Sequence, residues 1–82
     1  MDEKLKEQFD GLMTKYTELL TGETDEDLKE KVMMWAVYTH MSKSMPPLVK
    51  HWNEKYPDAK EGMKELIQEV RELNEQYRKE QN

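Results

Sequence analysis

Near the start of the chain Leu5, Phe9, Leu12, Tyr16 and Leu19 follow one another at spacings of four, three, four and three, which places them on one stripe of a helix. Met13 and Leu20 widen the stripe, and the Lys, Glu, Gln, Asp and Thr residues between them form a solvated face. Residues 2–20 are therefore predicted to be an amphipathic helix. Thr21-Gly22-Glu23-Thr24 reads as a stop and restart, with Gly22 suited to the left-handed conformation that ends helices and Thr24 a candidate N-cap. Asp25, Glu26 and Asp27 then fall in a first turn, where negative charge is favoured by the helix dipole.

The second predicted helix, 25–44, begins its stripe with Leu28, Val32 and Trp35. Val32 to Tyr38 contains no polar residue, so in a helix every face is apolar and the segment is expected to be surrounded by protein. Pro46-Pro47 breaks the chain, and the second proline can open a new helix because its missing N–H would be unpaired there anyway. Leu48, Val49, Trp52 and Tyr56 give a short third helix over 47–56, which Pro57 is expected to end. Asp58 with Glu61 resembles a capping box. Met63, Leu66, Val70, Leu73 and Tyr77 carry a fourth helix over 58–79, with fraying expected from Lys79 to Asn82.

These elements define an all-α protein, an antiparallel bundle of three long helices and one short one in a single domain, with the second helix at its centre. Three long helices can just bury an all-round apolar segment, and where they fall short a twofold homodimer would complete the burial. Whether the stripe of the first helix packs inside the chain or against a second copy is left open by the pattern.

Composition adds constraints. The chain has 82 residues, 35% of them apolar and 38% charged, with a mean hydropathy of -1.13, so its core must be thin. It has no cysteine, which excludes disulfides, thiolate catalysis and Cys-based zinc sites. A net charge of -5 is the wrong sign for a nucleic-acid binder. The start, Met1-Asp2-Glu3-Lys4, does not resemble a signal peptide, and no membrane-spanning run is present, so a cytoplasmic location is expected.

Residues 32–57 stand apart as the only net-positive segment, with three bases and one acid. Four of the seven Met and four of the seven aromatic residues gather there, together with His40 and His51. At helical spacing such residues are first of all core fillers. Met41 and Met45 form an i, i+4 thioether pair that could attract copper(I), but His40 is off their face; His51 and Glu54 make half a metal site. Neither is adequate, and no metal or other cofactor is expected. Glu54, the lone acid of the segment, has Lys50 four residues before it. No nucleophile triad, phosphate loop or HExxH pattern occurs, so no catalytic residue is assigned and the chain is read as a non-enzyme.

Two binding roles remain. His40, Lys43, Ser44, Lys50 and His51 surround the predicted start of the third helix and could hold a small anion or ligand, or simply neutralise the acidic helices. Trp35, Met41, Met45, Leu48 and Trp52 would form an apolar interface if incompletely covered, so a partner protein, a second copy before others, is the favoured reading. Finally, the stretch from Lys29 through Val-Met-Met-Trp-Ala-Val-Tyr-Thr-His40, with Met45-Pro-Pro-Leu-Val-Lys-His-Trp-Asn-Glu54, resembles the short YusU-like proteins of the Bacillus group. That resemblance implies a cytosolic bacterial protein and supplies no activity, cofactor or site residue.

Overall fold

The computed structural model describes residues 2–81 and, among them, every regular element is an α-helix: α1 (Glu3–Thr21), α2 (Glu26–Ser44), α3 (Pro46–Lys55) and α4 (Pro57–Gln81). Asp2 caps α1 by accepting from the Lys4 amide at 3.1 Å, and Gly22 ends it with φ of 81° while donating its N–H to the Glu18 carbonyl. The second cap differs from the expected one. Asp25, not Thr24, accepts from the Leu28 amide at 2.7 Å, and its carboxylate both fills the orphan donor and opposes the dipole.

The prolines also sit differently. Both Pro46 and Pro47 lie inside the first turn of α3, and Pro57 opens α4 instead of merely ending α3, because a first turn needs no N–H from those positions. Asp58 is consequently a first-turn residue of α4 and not its cap. Lys79 to Gln81 are helical, so α4 runs past the predicted fraying point; Asn82, the last residue of that expectation, is outside the described residues.

The core is small. Leu28, Val32 and Val70 form it, with Leu20, Trp35, Leu66 and Leu73 packed around them, and Met13 and Met63 are also buried. Thr17 and Thr21 complete the inner face of α1, and their hydroxyls donate to the carbonyls of Met13 and Thr17 four residues back, so no buried hydroxyl is left unpaired. Polar ties fix the helices to one another. Lys29 of α2 reaches Asp10 of α1 at 2.8 Å, Lys31 of α2 meets Glu69 of α4 at 3.0 Å, and the Asn74 amide of α4 donates to the Leu20 carbonyl at 2.8 Å.

α1, α2 and α4 pack against one another, and α3 lies against α2 and α4. The molecule measures 38 × 36 × 21 Å, so two of its dimensions match the length of α4, which at 1.5 Å per residue is about 38 Å. Its radius of gyration is 14.5 Å, against about 12 Å for a compact domain of this length. The apolar run of α2 is accordingly not surrounded by its own chain: Val32 is fully buried, but Met33, Met34 and Val37 are 40–50% exposed. α1, α3 and α4 all pack against α2, and Met33, Met34 and Val37 remain open among the described residues.

Candidate interaction surfaces

α1 carries two apolar faces. Met13, Thr17, Leu20 and Thr21 turn inward, whereas the regular stripe of Leu5, Phe9, Leu12, Tyr16 and Leu19 turns to solvent, with Leu12 and Leu19 more than 60% exposed. The two faces are separated by roughly 110° around the helix at 100° per residue. α4 has the same spacing with the opposite outcome: Met63 and Val70 are buried and Leu66, Leu73 and Tyr77 are partly covered. Identical periodicity thus serves the interior in α4 and an outer surface in α1.

Beside the α1 stripe runs a groove of about 530 Å³ lined by Leu5, Phe9 and Met13 of α1 and Met33 of α2, with Lys6 and Asp10 at its edges. Met33 joins the stripe to the exposed side of α2, where Val37 continues it. The sequence leaves open whether this stripe packs inside the chain or against a second copy. The spacing was visible, but spacing does not say on which side of a helix the rest of the protein lies.

A second apolar surface lies at the α2–α3 corner, around four of the five residues offered from the sequence as an interface. Tyr38 donates its hydroxyl to the Asn53 side-chain oxygen at 3.1 Å, and its ring lies 5.9 Å from that of Trp52, which lies 6.2 Å from Tyr56. Met41, Leu48 and Trp52 line a small cavity of about 230 Å³ with Tyr38 and Val49. Met45, Leu48, Trp52 and Tyr56 are each more than a third exposed. Trp35 departs from this group, since it packs half-buried against the core.

The five residues proposed for anion or ligand binding are spread out. His40, Lys43, Ser44, Lys50 and His51 are all exposed. Lys50 lines a cavity of about 450 Å³ with Ser42, Asn53, Glu54 and Lys60, while Lys43 lines a different cleft of about 480 Å³ with Trp35, Tyr38, Arg71 and Asn74. Ser44 donates to the His40 carbonyl at 2.8 Å. The start of α3 has few donors to give: Pro46 and Pro47 have no N–H, and the amides of Leu48 and Val49 both donate to the Met45 carbonyl. Arg71, the cation that faces Lys43 across the second cleft, comes from α4, too far away in sequence for spacing to pair it with α2. Among the described residues no group of three or more metal-ligating side chains comes together.

Comparison with known proteins agrees with the central stretch that prompted the YusU-like resemblance. A family model described as a protein of unknown function (DUF2573) matches residues 3–80, and the chain belongs to that family. It is 63% identical over 81 residues to the uncharacterized protein YusU of Bacillus subtilis (strain 168), an alignment covering 99% of this chain and 85% of the relative. No solved structure matches the chain. Among the described residues no helix is long and apolar enough to cross a membrane.

Proposed function

We propose that this chain is a small non-catalytic interaction module of the cytoplasm that works as a homodimer and offers a protein-binding surface. One observation carries the reading: the single chain leaves too much apolar surface uncovered. Its accessible surface is 6489 Å², about 1,300 Å² more than the roughly 5,200 Å² of a typical folded monomer of 9.9 kDa. Among the described residues twelve large apolar side chains are exposed against five that are buried. Monomeric proteins do not usually sustain contiguous apolar patches of this kind, and an excess of that size is what one subunit of an obligate dimer buries.

On this reading the antiparallel bundle predicted from the sequence is completed only when two chains meet, and the aromatic corner of α2 and α3 faces a further protein partner. Tyr38, Trp52 and Tyr56 are the residue types that anchor such contacts. The reading makes stability inseparable from association. The urea midpoint of unfolding is expected to rise with protein concentration over a hundredfold dilution series, because dilution favours the separated chains. A midpoint that does not move with concentration overturns the dimer.

A further inference from the structure

We infer that the dimer forms through α1, whose solvent-facing stripe pairs antiparallel with the same stripe of a second copy across a twofold axis at Leu12. This deepens the homodimer reading and rests on it. The stripe is a heptad seam: Leu5, Leu12 and Leu19 occupy one repeat position and Phe9 and Tyr16 the other, the arrangement by which two helices interdigitate along their length. Nothing in the chain itself covers it, as all five residues are 39–62% exposed.

The occupant is read from the symmetry of the stripe. Turned end for end about Leu12, it maps Leu5 onto Leu19 and brings Phe9 within one residue, about 1.5 Å, of the level of Tyr16, so the apolar residues of the two copies meet along the stripe. The groove lined by Leu5, Phe9, Met13 and Met33 then receives Tyr16 and Leu19 of the second copy, and the same exchange happens on the other side of the axis. That is the self-complementary contact a closed twofold pair requires. The antiparallel direction follows from charge. A parallel pair would set the two positive dipole ends side by side, whereas the antiparallel pair opposes the two helix dipoles.

Because the chain contains no cysteine, single cysteines report the geometry directly. Under mild oxidation Leu12→Cys is expected to cross-link with itself, since residues facing each other on the axis fall within the ~4.4–6.8 Å Cα separation of a disulfide. Leu5→Cys and Leu19→Cys are expected not to cross-link alone but to do so when mixed. If all three cross-link alone, the helices run parallel and the twofold at Leu12 is wrong. Leu12→Lys is expected to weaken association about 100-fold or more with helicity unchanged, while Trp52→Ala leaves the dimer intact. Should the wild type be a dimer that only Trp52→Ala dissociates, the α1 seam fails and the homodimer reading stands. Should the wild type be a monomer throughout, both fail.

Discussion

Lys29 is the least expected residue of the interior, a lysine only 6% exposed on a helix with abundant acids. Its ammonium is held by the Asp10 carboxylate at 2.8 Å and by Glu26 at 3.3 Å, and the Asp10 hydrogen bond, more than burial, decides its protonation and keeps its pKa above the ordinary lysine value of 10.5. A raised pKa means that the stabilising contact is complete below the unfolded value and is lost as pH rises through the folded one. Lys29→Met is therefore expected to lose less stability than the wild type between about pH 9 and about pH 12 in thermal melts, with the other raised lysines common to both proteins. Equal alkaline losses would show that Lys29 is not a stabilising cation. From sequence alone this residue is one base among many, because its burial depends on a contact nineteen residues away. Gly22 is the opposite case. Its left-handed φ was legible from its place between two apolar stripes, though the ring of Tyr77 against it, 2.6 Å from where a Cβ would sit, was not.

For the helices themselves, periodicity and turn chemistry are strong signals. The Gly22 stop, the acidic first turn of α2 and the double proline are local features, and local features decide where helices begin and end. What periodicity does not carry is direction. The stripes of α1 and α4 are interchangeable on paper, yet Val70 is 1% exposed and Leu12 is 61% exposed. Val70→Ala is expected to cost about 2 kcal/mol in urea unfolding at any protein concentration, as deleted core methyls do. Leu12→Ala, measured under dissociating dilution, is expected to change stability by less than about 0.5 kcal/mol. If Leu12→Ala is as costly as Val70→Ala in separated chains, α1 packs with its stripe inward and the outer seam does not exist.

At the scale of the whole molecule, the homodimer proposal rests on a flat body of 38 × 36 × 21 Å with five buried apolar side chains among its described residues. The sequence carried the tension in its apolar centre at Val32–Tyr38, which three long helices were expected only just to bury. It did not carry the resolution, because the faces that remain open depend on how the helices splay. The residues offered for an anion in the 40–55 segment are spread for the same reason: Lys43 and Lys50 lie close in sequence but line separate clefts. Light scattering after size exclusion, over a tenfold range of concentration, tests the dimer most directly. A constant mass of twice 9.9 kDa is the expected result, and a constant mass of 9.9 kDa would contradict it and return the open apolar faces to some other occupant.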